Sequence, residues 1–172
     1  ELGAKVLAQY TATQRKELGQ FLTPPVVARY MATQLRDLPT TCRLLEPAIG
    51  SGVLACAVIE QAVIRQQPKQ LLIEGYEVDH KLYEAACTAL AAATHYAQQA
   101  GIAVQTRLHH KDFILAQTTK QQLTLFENDV QHNQLLSQRY DRVIANPPYF
   151  KINREDQHAD VTFGQIAGHT NA

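Results

Sequence analysis

The sequence predicts an α/β protein with a doubly wound, mostly parallel sheet. Short apolar runs of strand length recur along the chain, and segments with helical periodicity stand between them. Strands that alternate with helices form parallel sheets, which bind their ligands at the carboxyl ends of the strands. The predicted strands cover residues 42–45, 71–78, 102–108 and 140–145, and the predicted helices cover residues 23–38, 50–66 and 79–101.

The first predicted helix has signals at both ends. Thr23 is expected to be its N-cap, Pro24 to occupy its first position, and Pro39 to stop it after about Leu38. Its apolar side chains recur every four residues and predict the face that packs on the core: Val27, Met31 and Leu35.

The third predicted helix is rich in alanine and is bounded by two recognisable residues. Asp79 is expected to cap its start. Gly101 is expected to end it, because glycine readily adopts the left-handed conformation that often follows a helix.

The segment 117–138 has no clear assignment. It is rich in Gln, Thr and Asn and has only weak periodicity. A loosely packed helix and an exposed insertion explain this composition equally well.

Length and composition fit one globular domain and exclude several classes of protein. The chain has 172 residues, 45% of them hydrophobic, but no run of the roughly 18 apolar residues that a membrane span needs. Its 16 basic and 16 acidic residues cancel, which argues against a surface that binds nucleic acid throughout. The 3 cysteines lack metal-ligand spacing and no secretory signal is visible, so we expect a cytoplasmic protein without disulfides or zinc.

A glycine-rich segment follows the first predicted strand. Residues 46–52 read Glu-Pro-Ala-Ile-Gly-Ser-Gly, which is neither a dinucleotide fingerprint nor a Walker phosphate loop. Glu46 would repel a phosphate but suits a ligand that carries an amine. The segment is therefore either an ordinary glycine turn or the start of a site for such a ligand.

Acidic residues follow the next two strands. Glu77 lies 25 residues after Gly52, where nucleotide-binding α/β folds place a carboxylate that accepts both ribose hydroxyls; the alternative is a surface carboxylate. Glu74 is expected to be solvated. Asp112 and Phe113 follow the third strand and could bind an adenine amine and its ring.

The pair His109 and His110 could suggest a metal site. It has no carboxylate or cysteine partner at ligand spacing, so we expect these histidines to be structural or exposed and predict no metal.

The fourth predicted strand leads into Asn146, Pro147, Pro148 and Tyr149. The prolines remove two N–H donors and stiffen the loop. The Asn146 side-chain oxygen and the Pro147 carbonyl could then hold both hydrogens of an exocyclic amine and stabilise the positive charge that grows on it during methyl transfer. Tyr149 would stack on the base, and a base in duplex DNA must be flipped out to reach this loop.

These segments together resemble the motifs of the DNA adenine-N6 methyltransferases, in particular the branch related to the Eco57I-type restriction-modification enzymes. The Phe-Leu-Thr-Pro-Pro element at residues 21–25 precedes the glycine segment, which is the gamma arrangement of the motifs. The resemblance spans about residues 19–150. It implies a Rossmann-like S-adenosylmethionine-dependent fold and site-specific methylation of adenine N6.

The resemblance also implies which residues bind S-adenosylmethionine. Glu77 would bind the ribose hydroxyls, Val78 and Phe113 would contact the adenine ring, and Asp112 would bind adenine N6. The remaining six would lie along the methionine, the ribose or the adenosine: Phe21, Thr23, Glu46, Ala48, Gly50 and Gly52.

The family fold has more strands than this sequence supplies, so we expect a fragment of a larger prokaryotic enzyme. Residues 1–38 would form an N-terminal helical segment, and residues 39–172 a partial catalytic domain without the target-recognition domain. Double-stranded DNA would be recognised mainly elsewhere, and a restriction endonuclease domain or subunit is a candidate partner. The alternatives are a methyltransferase for RNA guanine N2 or protein glutamine, and a non-catalytic cofactor-binding fragment.

Overall fold

The computed structural model describes residues 23–116 and 140–147, in which helices pack on a parallel sheet. The predicted α/β class and the predicted order of elements are confirmed. In chain order the elements are α1 (Pro25–Gln34), β1 (Thr41–Glu46), α2 (Val53–Arg65), β2 (Gln70–Glu77), α3 (His80–Gln99), β3 (Ala103–His110) and β4 (Arg142–Val143).

The strands lie in the order β3-β2-β1-β4, and all of the pairs are parallel. The chain moves outward from β1 to β3 and then returns to place β4 on the other side of β1. In open α/β sheets the crevice at such a switch point, outside the carboxyl ends of the strands, binds the ligand. The fold therefore brings the residues that follow β1 and β4 to the predicted binding edge.

One hydrophobic core joins the helices to the sheet. Alternate residues of a strand point to the same face, and Cys42 and Leu44 of β1 enter this core together with Leu71 and Ile73 of β2. Helix α2 packs against both α1 and α3. Its buried side chains fill the centre: Leu54, Ala55, Ala57, Val58, Ile59 and Ala62. No helix in the described ranges is long and apolar enough to cross a membrane.

The predicted N-cap of α1 is wrong. The helix begins at Pro25, and Pro24 stands in the capping position without a side-chain hydrogen bond. Thr23 lies one residue before the capping position, and no side chain makes a capping hydrogen bond to this helix. Its hydroxyl has a different partner, which belongs to the site described below.

The predicted end and inner face of α1 also differ from the structure. The helix ends at Gln34, and there the Arg65 guanidinium of α2 donates to the carbonyl of Leu35 at 2.6 Å and to that of Thr33 at 2.9 Å. Small side chains, Ala28 and Ala32, form the buried stripe. Met31 and Leu35 pack at the edge of the core as predicted, but Val27 is 43% exposed.

Both predicted ends of α3 are confirmed. Asp79 accepts a hydrogen bond from the Leu82 N–H at 3.0 Å and caps the helix. Gly101 has a φ of 78° and follows the last helical turn. The N–H of Ile102 then donates to the Ala97 carbonyl at 3.0 Å, which satisfies a carbonyl that the helix leaves open.

β4 lies where the sequence predicts it but spans only Arg142–Val143. Hydrogen bonds to β1 continue on either side of it, from Asp141 N–H to the Arg43 carbonyl at 2.9 Å and from Ile144 N–H to the Leu45 carbonyl at 3.0 Å. The segment therefore follows β1 closely enough to direct the next residues to the carboxyl edge. The segment 117–138 lies outside the described residues.

Candidate active site

The glycine loop (residues 46–52) folds from the end of β1 over the end of β2. The N–H of Ile49 donates to the Tyr76 carbonyl at 2.9 Å, which attaches the loop to β2. Gly50 and Gly52 have φ angles of 56° and 80°, in the left-handed region that favours glycine. The sequence prediction of a tight turn is therefore confirmed, and α2 starts directly after it.

Gly75 makes room for this loop within β2. A Cβ atom at this position would lie 2.6 Å from Cδ1 of Ile49 and 3.0 Å from Cδ2 of Leu108. The Ile49 side chain, which is itself buried, therefore lies directly on the backbone of β2. Gly75 is not among the predicted site residues, although a glycine within an apolar strand commonly marks such a close approach.

Glu77 joins the glycine loop to the start of α3. Its side chain is 8% exposed, so the alternative of a surface carboxylate is wrong. Oε2 accepts the Gly50 N–H at 2.9 Å, and Oε1 accepts the Asp79 N–H at 2.8 Å. Burial raises the pKa of Glu77, while hydrogen bonds from the backbone oppose that shift. A carboxylate has about four acceptor sites, more than the backbone donors use, so Glu77 can still accept a hydrogen bond from a ligand hydroxyl.

Glu46 is buried beside Glu77 at the end of β1. It is 1% exposed, and its Oε2 has no hydrogen-bond partner within the described residues. Burial raises the pKa of Glu46 well above its ordinary value, a hydrogen bond with the Ala55 backbone lowers it, and the charge of Glu77 raises it further. An amine-bearing ligand would satisfy Oε2 and favour the ionised form.

The residues that follow β3 lie at the same edge of the sheet. Oδ1 of Asp112 accepts the Leu115 N–H at 3.0 Å and starts a helical turn. The Phe113 ring meets the Tyr76 ring edge to face, with their centroids 5.2 Å apart. Val78, after β2, is 56% exposed and offers an apolar surface to this edge.

Glu74 is not solvated, so this prediction is wrong. Oε1 accepts the Tyr76 hydroxyl at 3.1 Å and is 2.9 Å from Nε2 of His109, while Oε2 accepts the Tyr140 hydroxyl at 2.9 Å. Burial alone would raise the pKa of Glu74, but the three hydrogen bonds together lower it. The rings of Tyr76 and His109 also stack at 4.5 Å. These contacts therefore hold the Tyr76 ring where it meets Phe113.

The histidines have structural contacts, as predicted. Nε2 of His110 lies 3.0 Å from the Val78 carbonyl, and its ring stacks on Tyr83 at 5.3 Å. No group of three potential metal ligands occurs in the part of the chain that the structure describes.

Asn146 lies just beyond β4 and bonds to the segment that precedes α1. Its Nδ2 donates to Oγ1 of Thr23 at 2.9 Å, so residues 123 positions apart in sequence meet. Pro147 follows and is exposed. Three predicted site residues lie outside the described ranges: Phe21, Pro148 and Tyr149.

Thr23 and Asn146 are both predicted site residues, but nothing in the sequence predicts their contact. The same holds for Glu77 and Gly50. Of the remaining candidates, Ala48 is half-buried within the glycine loop, and Gly52 packs against Ala86 of α3, where an added Cβ would lie 3.4 Å from Ala86 Cα.

Comparison with known proteins places this arrangement in a family. The model of the family described as N-6 DNA Methylase matches residues 4–172. The chain belongs to the N-6 DNA methylase family. Methylases of RNA or of protein glutamine are therefore not favoured.

Two curated relatives of this N-6 DNA methylase chain are type II methyltransferases. M.AccI of Acinetobacter calcoaceticus is 28% identical over 142 residues, which cover 83% of this chain and 20% of that protein. M.PstI of Providencia stuartii is 28% identical over 140 residues, which cover 81% of this chain and 25% of that protein. The chain thus spans only a fifth to a quarter of these relatives.

A solved structure supports the fold. A protein from Listeria monocytogenes, described as a class I S-adenosylmethionine-dependent methyltransferase, superposes with a TM-score of 0.58 at 17% identity. The match covers 98% of this chain and 42% of that one. The predicted Rossmann-like methyltransferase fold is therefore confirmed.

We expect Gly75→Ala to destabilise the methylase fold by about 1–3 kcal/mol, because the new methyl group would displace Ile49 and Leu108. Urea unfolding measures this change. Gly101→Ala is a useful comparison, because its Cβ would meet no atom within 4 Å and the cost would come only from the positive φ. Unchanged stability of Gly75→Ala would contradict the close packing of the loop on β2.

Glu46→Gln should change the pH dependence of stability. The folded state holds the Glu46 proton more tightly than the unfolded state, so the wild type loses stability as pH rises above the ordinary carboxyl pKa. We expect the variant to match the wild type near pH 4 and to be the more stable protein near pH 8, as measured by urea unfolding.

The exposed Glu84→Gln is the control for Glu46→Gln, and it should change stability little. A constant difference between Glu46→Gln and the wild type across this range would show that Glu46 has an ordinary pKa.

Proposed function

We propose that this chain forms the cofactor-binding part and catalytic loop of a site-specific DNA methyltransferase that acts on adenine N6. The methyl donor is S-adenosylmethionine, and the acceptor is an adenine flipped out of double-stranded DNA. The observation that carries the proposal is the arrangement of Glu46, Glu77 and Asn146. They lie at the carboxyl ends of β1, β2 and β4, around the switch point of an N-6 DNA methylase sheet.

The chemistry of this edge fits S-adenosylmethionine. Oε2 of Glu46 and the buried hydroxyl of Ser51 have no partner within the described residues, and the cofactor carries polar groups that could satisfy both. When bound, the cofactor supplies an electrophilic methyl group on a positively charged sulfur. Glu77 would hold its ribose hydroxyls. The other binding residues in this proposal are Phe21, Thr23, Ala48, Gly50, Gly52, Val78, Asp112 and Phe113.

The catalytic loop would prepare the adenine amine for attack. An exocyclic amine is a weak nucleophile because its lone pair is delocalised into the ring. The side-chain oxygen of Asn146 and the Pro147 carbonyl would accept its two hydrogens, draw the nitrogen toward tetrahedral geometry and stabilise its growing positive charge. Pro148 would stiffen the loop, and Tyr149 would stack on the flipped base.

Our finer assignment is the gamma arrangement of motifs, in the branch related to the Eco57I-type enzymes. The Phe-Leu-Thr-Pro-Pro element precedes the glycine loop in the chain, and the Asn-Pro-Pro-Tyr segment follows it. The hydrogen bond between Thr23 and Asn146 supports the assignment of the first and last of these segments to one site. We assign residues 1–38 to an N-terminal helical segment and residues 39–172 to part of the catalytic domain.

We assign recognition of the DNA sequence mainly to parts of the full-length protein outside these residues. The chain has no net charge, and it spans only 20% and 25% of its type II relatives. Those relatives also support a role in a bacterial restriction-modification system, with a restriction endonuclease domain or subunit as the partner activity. A cytoplasmic location, where chromosomal DNA is accessible, belongs to the same proposal.

The substrate class is tested with the full-length protein and S-adenosylmethionine that carries a labelled methyl group. Double-stranded DNA, RNA and a release-factor-like protein are offered in parallel. We expect label on DNA, and nucleoside analysis should recover it as N6-methyladenine. Label on RNA or protein alone would contradict the proposal, as would saturating cofactor binding without transfer to any acceptor.

We expect Asn146→Ala to lower the rate of methyl transfer by about 100-fold or more, because one acceptor for the amine hydrogens is lost. The affinity for S-adenosylmethionine, measured by calorimetry, should stay within about threefold of the wild type, a difference below 1 kcal/mol. Loss of both properties together would show that the loop is structural.

Glu77→Ala should have the opposite pattern. We expect cofactor affinity to fall by about 10- to 100-fold, since hydrogen bonds to a charged group contribute about 1.5–3 kcal/mol. Isothermal calorimetry measures the loss, and Glu84→Ala on the exposed side of α3 is the matched control. Unchanged affinity of Glu77→Ala would remove Glu77 from the cofactor site.

A further inference from the structure

Thr23 contacts the side chain that the proposed reaction depends on. Nδ2 of Asn146 donates to its Oγ1 at 2.9 Å. Thr23 has no role in capping α1, because Pro24 occupies the capping position and no side chain accepts a hydrogen bond there. The hydroxyl is therefore placed to serve Asn146 and not the helix.

The direction of this hydrogen bond has a chemical consequence. A carboxamide has a donor end and an acceptor end, and a 180° flip exchanges them. With Nδ2 turned to Thr23, Oδ1 is the end turned away from it. A threonine hydroxyl can donate as well as accept, so the contact holds the side chain in place, and in the observed orientation Oδ1 is the end that can accept a hydrogen from an amine substrate.

Both partners are held by backbone that is fixed to the core. On one side, Ala28 is buried and its N–H donates to the Pro24 carbonyl at 3.0 Å, which sets the start of α1 next to Thr23. On the other side, Ile144 is 5% exposed and its N–H donates to the Leu45 carbonyl at 3.0 Å. The Thr23 hydroxyl and the Asn146 amide therefore meet across two anchored segments, the kind of support that holds a reacting group in one geometry.

We propose that Thr23 is a positioning residue that holds the Asn146 carboxamide in place for methyl transfer. This inference rests on the proposed function and gives Thr23 a role separate from any contact with the cofactor. A role in positioning affects the rate of transfer even when cofactor and DNA are saturating. A role limited to cofactor binding disappears under those conditions.

The test compares Thr23→Val and Thr23→Ser with the wild type in the full-length protein. Valine keeps the shape of threonine but can accept no hydrogen bond, whereas serine keeps the hydroxyl. Single-turnover methyl transfer is measured at saturating S-adenosylmethionine and DNA. Rates are expressed per cofactor-binding site counted by calorimetry, so that a partly unfolded sample does not imitate a slow enzyme.

We expect Thr23→Val to transfer methyl groups about 10- to 100-fold more slowly at saturation, as is usual when a group that orients a functional side chain is lost. Thr23→Ser should stay within about threefold of the wild type, since its hydroxyl can still accept the amide hydrogen.

Two results would overturn the inference: a Thr23→Val rate restored by saturating cofactor, or a Thr23→Ser rate as low as that of Thr23→Val. A wild-type protein that labels no DNA would instead refute the proposed function itself.

Discussion

The buried carboxylate of Glu77 is the contact on which the geometry of the site depends. It accepts one backbone N–H from the glycine loop and another from the start of α3, and so fixes both relative to the end of β2. Gly75 lets the same loop lie on the strand, because any larger residue would meet Ile49. Without this carboxylate the loop would lose the partner that determines where its glycines and the N-terminus of α2 stand.

Glu46 and Glu77 are neighbouring carboxyl groups with different surroundings. Glu77 satisfies its oxygens with backbone donors, whereas one oxygen of Glu46 has no partner within the described residues. Burial raises the pKa of both, and the negative charge of Glu77 raises the pKa of Glu46 further. The pair is thus suited to a ligand that brings hydroxyl donors to one carboxylate and a cation to the other, as the proposed cofactor does.

Local signals predicted the elements that depend on local physics. The parallel strands follow from apolar runs, Asp79 caps the helix that begins after it, and Gly101 has the left-handed φ expected beyond a helix end. Contacts between distant segments were not predicted. Glu74 looked solvated because two of its three partners, His109 and Tyr140, come from distant parts of the chain and meet it only in the folded sheet. Thr23 looked like a helix cap because it lies just before α1 in sequence. That position gives no indication that its hydroxyl contacts Asn146, 123 residues later.

Thr23, which was predicted to be a helix cap, connects the segment before α1 to the segment after β4. Thr23 belongs to the segment before the sheet, and Asn146 follows the last described strand, on the far side of β1 from β2. A sheet with the order β3-β2-β1-β4 brings the ends of β1 and β4 together, but it does not orient a side chain. The hydrogen bond from the Asn146 amide to the Thr23 hydroxyl holds that side chain against the segment before α1. The segment before α1 is therefore part of the proposed catalytic arrangement, since Thr23 is the acceptor that holds the carboxamide.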